Sequence, residues 1–350
     1  MLQIGYLDDS RLQNIPKRAR AAHEFCFYLH DLIAQMTASA ERSGINQLQI
    51  VLRDEDDVAA LQACENPIEF LSQTGRHEEE RKLAVSHICA ALFPDMLHFI
   101  HAGLVAFEKR KFTLAFACLR KPFKEGLPLI ALMCADEEDF FQKFRKDPVG
   151  YFDGRSFNGP TKKDAFEKAV LKCPDLFPMS SDRLHSLIFD GKNESGFSGL
   201  FDKAMHLVTA NSNIKTDPYN FNFIFKHPTQ DDIYDTSYEG ISYILLCLHL
   251  MQLELMKRFN HPTEGYLKQL NMRAVGTYQA TFLPGKSDMV VALNDTLGEL
   301  MKCPVCHKEI RIKKSTAPRF FITEILECNH CGNEHQFPLS WLLSNNAEHK

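Results

Sequence analysis

HEEERKLAVSHICAALF (residues 77–93), DMLHFIHAGLVAFEKR (95–110) and KFTLAFACLRKPFKEGLPLIALMC (111–134) follow one another almost without a break. Their apolar residues recur at three and four positions, the period of a helix face rather than of a strand. Pro94 predicts a stop and a fresh helix start. Pro122 and Pro128 each remove a backbone donor and crowd the preceding turn, so the third helix is expected to break or kink there.

The same period extends outward. Residues 17–42 read as a helix on Ala21, Ala22, Phe25, Leu29, Leu32, Ile33 and Met36, ending at Ser43-Gly44. QLQIVLR (47–53) alternates Leu48, Ile50 and Leu52 and predicts a short strand. Asp54 to Asp57 then put acids in the first turn of a helix running to Gln73, where the helix dipole favours them. Downstream, the Gly- and Pro-rich stretch 147–162 reads as a loop. Short helices are expected at 163–172, 181–189 and 197–210, with irregular chain over 211–232. The run 236–259 is apolar on most sides, which places it at the centre of a bundle. Residues 277–293 carry two β-prone runs around Pro284-Gly285-Lys286-Ser287-Asp288, the pattern of a hairpin. No repeat of 20–50 residues is present. The expected fold is mainly α, a helical bundle body with a small C-terminal β part. Its divisions are 1–54 (helix and short strand), 55–276 (bundle), 277–300 (hairpin connector) and 301–350 (β part and tail).

Composition narrows the class. At 350 residues, 45% hydrophobic and 24% charged, the chain is globular, not disordered or collagen-like. A net charge of −5 leaves no overall positive field, so any nucleic-acid contact must come from a local patch. The first twenty residues lack the apolar core of a secretory signal. The most apolar stretch, Ile241–Met256, is interrupted by His249, Gln252 and Glu254, so a buried helix is expected there, not a membrane span. Of the 11 cysteines, Cys26, Cys64, Cys89, Cys118, Cys134, Cys173 and Cys247 are scattered singly among apolar neighbours. An odd total in a chain of this size argues for reduced thiols and a cytoplasmic setting.

The other four cysteines are paired. CPVCHKEIRIKKSTAPRFFITEILECNHCGNEHQFPL (303–339) holds two Cys-x-x-Cys turns with 21 residues between them. Each turn lets two thiolates reach one ion at about 2.3 Å, and two turns complete a tetrahedron. The intervening chain must leave and return. Glu309–Ile312 and Phe320–Leu326 have the β character for a hairpin, with a turn near Lys314–Pro318. Gly332 follows the second pair, where a knuckle often needs positive φ. This segment, about residues 301–340, resembles a zinc ribbon. The resemblance implies that Cys303, Cys306, Cys328 and Cys331 hold one structural zinc. His307 and His330 lie in the knuckles and could each replace a neighbouring Cys. Four thiolates close the coordination shell, so no position remains for substrate. Arg311, Lys313, Lys314 and Arg319, beside Phe320 and Phe321, form a basic–aromatic patch of the kind that binds single strands. Alternatively these cations offset the charge of the metal–thiolate cluster, and the ribbon docks a protein or simply staples the fold. Trp341 is expected to pin the tail to the body.

Other constellations are sparser. Arg18-Ala-Arg-Ala-Ala-His23 has the Arg-x4-His spacing, and in this the body resembles HEPN domains, helical modules of bacterial toxin and defence ribonucleases. That resemblance implies metal-independent RNA cleavage by Arg18 and His23, although Ala19 stands where the family carries a polar residue. Arg81 and His87 have five spacers. Asp95, His98 and His101 share a helix face and could ligate a second metal. Arg120 and Glu125 read as an ion pair or as an anion-binding Arg. Ser180-Ser181-Asp182 reads as a helix cap, with His185 as a potential partner of a nucleophilic Ser. No phosphate-binding loop, dinucleotide fingerprint or His-Glu-x-x-His motif occurs. The expected function is a non-enzymatic binding or regulatory protein whose zinc ribbon supports a contact surface for nucleic acid or a protein partner, without a membrane. The alternative is a HEPN-like ribonuclease or toxin/phage-defence effector.

Overall fold

The computed structural model describes all residues except 1–2, 45–46, 48, 152–156, 210–214, 217, 220, 223–230, 258–261, 299 and 340–350. Trp341 lies outside the described residues, as does most of 211–232. The fold is mainly α with one two-stranded antiparallel sheet near the C-terminus.

A 3-10 turn at Lys17–Ala19 leads into α1 (Arg20–Arg42), which buries Ala21, Ala22, Phe25, Cys26, Leu29 and Ile33. The strand expected at 47–53 is absent from its described residues: the chain is extended but unpaired, and Val51 is 78% exposed. Side chains tie this segment down instead. Arg76 donates to the Val51 carbonyl at 2.9 Å, and Arg53 pairs with Asp57. Two helices follow, α2 (Glu55–Ala63) and α3 (Pro67–Gln73), split by Asn66, whose side chain caps α3, and by Pro67 in its first turn.

The expected break at Pro94 does not occur. α4 (His77–Glu108) runs through it. An interior proline costs roughly 3 kcal/mol. Phe93, Met96 and Leu97 on both sides of it are buried in the main core, and that packing holds the helix together. Pro122 behaves as expected. It ends α5 (Phe112–Lys121) and opens a π-helical turn, Pro122–Gly126, before α6 (Leu127–Ala135). Pro128 follows as the second residue of α6, which continues from the π turn without leaving helical backbone.

The body continues through α7 (Glu137–Lys146), a short α8 (Pro148–Tyr151) inside the expected loop, α9 (Gly159–Lys172), α10 (Ser181–Phe189) and α11 (Ser198–Met205). The apolar helix α12 (Asp232–Met256) is the axis of the main core, with Tyr234, Tyr238, Ile241, Leu245 and Leu253 fully enclosed. Several polar groups inside that core are paired, although Ser237 Oγ and His249 Nε2 are not. Gln252 donates to the Ile33 carbonyl and to Thr37, and the Tyr238 hydroxyl lies 2.6 Å from His23 Nδ1. By length and hydropathy α4 and α12 could each cross a membrane, but 89% of the apolar window of α12 is buried inside the bundle.

The hairpin expected at 277–293 is replaced by helices. α13 (Glu264–Leu270) runs through a second π turn, Asn271–Val275, into α14 (Gly276–Phe282), and α15 (Asp288–Leu297) follows. The β-prone Thr277, Tyr278 and Ala280 are buried, with Tyr278 packing edge-on to Phe177. Pro284-Gly285 is the turn between α14 and α15, and Gly285 takes φ +78°.

A second apolar cluster carries the C-terminal module. Met272, Ala280, Val290 and Leu297 from the helices meet Met301, Ile310, Phe320, Phe321, Leu326, Phe337 and Leu339. Between the cysteine pairs the chain forms a helix, α16 (Ala317–Thr323), not the expected hairpin. Phe320 and Phe321 are enclosed by this cluster, and a helix is what lets both face inward. The sheet is β1 (Ile325–Glu327) against β2 (Glu334–Gln336), with Leu326 opposite His335.

Candidate metal centre

Two matching turns bring the four thiols together. In the first, Cys303 N donates to the Lys308 carbonyl at 2.9 Å, and His307 N donates to the Cys303 carbonyl at 2.8 Å. In the second, Cys328 N donates to Asn333 O at 2.8 Å, and Gly332 N to Cys328 O at 2.9 Å. The offsets along the chain are the same. The residue after each second cysteine takes positive φ: His307 at +58° and Gly332 at +75°. Gly332 meets the sequence expectation, and His307 occupies the equivalent place at the cost of a side chain in the left-handed region. The first turn is closed by the Lys302–Glu309 bridge and the second by β1 and β2. The β pairing thus lies across each knuckle rather than between the two.

The four Sγ atoms lie within 4.8 Å of one another. Cys303–Cys331 and Cys306–Cys328 are each 3.6 Å apart. Bonds of about 2.3 Å in a tetrahedron require edges of roughly 3.8 Å. The sulfurs are too far apart for disulfides and close enough to share one ion. Cys303 and Cys328 are buried, Cys306 is half-buried and Cys331 is exposed, so the cluster sits at the edge of its own core.

The thiols share charge unevenly. Backbone and side-chain N–H groups of Asn333 draw Cys331 down to about 6, and the His330 backbone N–H helps lower Cys328. For Cys306 the Lys308 backbone N–H pulls down, but burial and the other three thiols push it up to about 11. Four sulfurs this close cannot all ionise without a cation among them, and a divalent cation removes the conflict. These residues can hold a metal ion.

Two groups that sequence reasoning missed orient the sulfurs. His335 Nε2 lies 3.2 Å from Cys303 Sγ, and Asn333 Nδ2 donates to Cys331 Sγ at 3.3 Å. Their signal was positional: both follow the second pair closely, Asn333 just before β2 and His335 within it. His307 and His330 are not members of the cluster.

The basic patch is divided by the fold. Lys314 donates to the Leu283 and Gly285 carbonyls, at 2.8 Å for the latter. Arg319 pairs with Glu334 at 2.6 Å. Phe320 and Phe321 are internal and offer no stacking face. Arg311 remains largely exposed, loosely paired with Glu309 at 3.0 Å. With Lys308, Glu309, Lys313, Asn329 and His330 it lines a groove of about 400 Å³ on the outer side of the knuckles.

The other candidates do not converge. Arg18 is half-exposed and forks onto Asp235, both contacts 2.9 Å. His23 is fully buried, with Nε2 3.4 Å from Glu108. Arg81 pairs with Glu137 and Glu138, and His87 is exposed. Asp95 is taken by Lys121 at 2.7 Å, His98 is exposed, and His101 packs beside His30. Arg120 and Glu125 form an exposed ion pair at 3.2 Å. Ser180 caps α10 through its hydroxyl, and His185 packs against Phe189.

Comparison with known protein families, with curated proteins and with solved structures returned no match.

Proposed function

We propose that this chain is a non-enzymatic binding protein in which one zinc ion, held by Cys303, Cys306, Cys328 and Cys331, staples a ribbon that presents a cationic groove to the phosphate backbone of nucleic acid. The observation that carries this reading is the pair of matching knuckles closing four sulfurs into a tetrahedral cage. A four-sulfur tetrahedron suits zinc or iron, and four protein ligands leave no open position for catalysis. The seven scattered cysteines are all unbridged, which fits a reducing compartment such as the cytoplasm.

The groove of Lys308, Arg311, Lys313 and His330 supports the choice of partner. Three cations, Lys308, Arg311 and Lys313, face it against one carboxylate, Glu309, and no aromatic platform lines it, so it suits the repeating charge of a phosphate backbone better than unstacked bases. Elemental analysis of protein purified without added metal should give one zinc per chain, and Cys328→Ser should lose it. A red, iron-loaded protein, or reduced protein without metal, overturns the zinc assignment. Binding to a labelled 20-mer duplex should weaken as salt rises. Substituting Lys308, Arg311 and Lys313 together by Gln should lower affinity and cut the salt slope by about 2–3. Equal binding by this variant and the unmodified chain refutes the groove.

A further inference from the structure

A separate cavity lies in the helical body. The π turn Pro122–Gly126 bulges from the line of α5 and α6 and, with α4 and the start of α9, walls a space of about 440 Å³. Leu92, Met96, Leu129 and Phe157 make one part of its lining apolar. Lys121, Lys124 and Lys162 line another part, together with the carboxylates of Asp95 and Glu125. This size, with mostly apolar walls and a few charged groups, is that of a small-molecule site. π turns inside helices recur at such places because the extra residue re-aims the side chains around it.

The local charges do not balance. Lys121 is paired with Asp95 at 2.7 Å and Arg120 with Glu125 at 3.2 Å. Lys124 lies 3.5 Å from Asp202 and 3.4 Å from Ser198 Oγ. Lys162 has no carboxylate partner among the described residues; its ammonium lies 4.9 Å from the ring centres of both Phe157 and Phe189. Burial, and then the neighbouring Lys124 ammonium, hold Lys162 below the ordinary lysine range, against a weaker pull from Glu125. Burial likewise holds Lys124 down. Two mutually repelling ammonium groups on an apolar cavity are stabilised by an anion between them.

We infer that this cavity binds a small organic acid, a monocarboxylate whose head lies between Lys124 and Lys162 and whose apolar body lies along Leu92, Met96, Leu129 and Phe157. One unmatched cation fits one negative charge. A phosphomonoester would bring close to two.

The test is calorimetric titration of the full chain with octanoate, with octylamine and inorganic phosphate as comparisons. Octanoate should bind one to one and the other two should not. Lys162→Met and Lys124→Met should each weaken octanoate by about tenfold or more, while Lys162→Arg retains it and shows that the fold tolerates change there. Far-ultraviolet circular dichroism should be the same for all variants that are compared. Absence of octanoate binding, equal binding of octylamine, binding of phosphate in its place, or undiminished octanoate affinity in both methionine variants overturns the inference.

Discussion

Gly332→Ala is expected to weaken metal binding about fivefold. Gly332 closes the second knuckle at φ +75°, and a Cβ placed there meets nothing within 4 Å. Crowding therefore adds nothing, and the whole cost is the backbone's own. An L-residue in the left-handed region costs about 1–2 kcal/mol. The stiffer unfolded chain returns about 0.4–1 kcal/mol. The net is about 1 kcal/mol. Because the knuckle closes on the ion, that cost is paid in metal affinity, about fivefold. Competition with a chromophoric chelator at fixed pH reads it directly. Gly332→Asn should recover most of the loss, since Asn tolerates this region, and Gly332→Val should be worse than Ala because a branched Cβ adds its own restriction. An alanine variant with unchanged affinity, or asparagine and valine variants that behave alike, would refute the knuckle geometry.

Three further outcomes test the body. Glu24 is buried and accepts backbone N–H bonds from Gly5, Tyr6 and Leu7 on Oε1 and from Ile4 on Oε2 at 2.6 Å. Glu24→Gln turns an amide N–H against the buried Ile4 N–H and should cost about 1–3 kcal/mol in urea unfolding; a change under about 0.5 kcal/mol contradicts the bond pattern. Burial draws His249 down to about 4, so in the folded state it stays neutral where the unfolded chain takes up a proton at about 6.5. Stability from this residue is present above pH 6.5 and is lost as pH falls toward 4. The loss is about 2 kcal/mol between pH 7 and pH 5, a share that His249→Phe should remove; an identical pH slope in that variant refutes the assignment. Gly276 lies where a Cβ would come within 2.9 Å of the Phe321 ring and 2.5 Å of Met289 Sδ. Gly276→Val should cost about 1–3 kcal/mol and raise hydrogen exchange over residues 317–327 before the rest of the chain; unchanged exchange there would show that the C-terminal module does not depend on this contact.

The helical body was legible because its period is long and repeated. α1, α9 and α10 fall close to the residues that the apolar spacing marks, and Ser180 reads correctly as a cap because its side chain answers to local backbone geometry. Failures came where distant packing overrides local preference. Nothing in the residues around Pro94 says that Phe93 and Leu97 will be held on both sides by other helices. Nothing in Thr277–Phe282 says that Tyr278 will be enclosed by Phe177 and Tyr243. The cysteine spacing located the metal cluster, since four sulfurs and two short turns admit few other arrangements. The basic patch was misjudged in part because charge was counted along the chain. Carbonyls near Gly285 claim Lys314, and the carboxylate of Glu334 on the returning strand claims Arg319.

The joint between the C-terminal module and the body explains why the cysteine cluster needs so small a sheet. Glu324 ends α16 in the left-handed region, at φ +62°. Its carboxylate receives Arg273 from the second π turn and the Leu339 backbone N–H, while its carbonyl accepts from Phe337 N at 2.8 Å. One residue thus ties the end of α16, the chain leaving β2 and the helical body together. At the other end of the module, the knuckles fix the chain before α16 and the chain after β1 through Cys303 and Cys328, both buried in the apolar cluster that Gly276 lets Phe321 enter. With both ends held, β1 and β2 need only three residues each, because register is set by the sulfurs and by Glu324 rather than by a long ladder. Loss of the ion therefore releases one anchor and leaves the other, so the apo chain should keep α16 docked through Arg273 and Phe321 while both knuckles open.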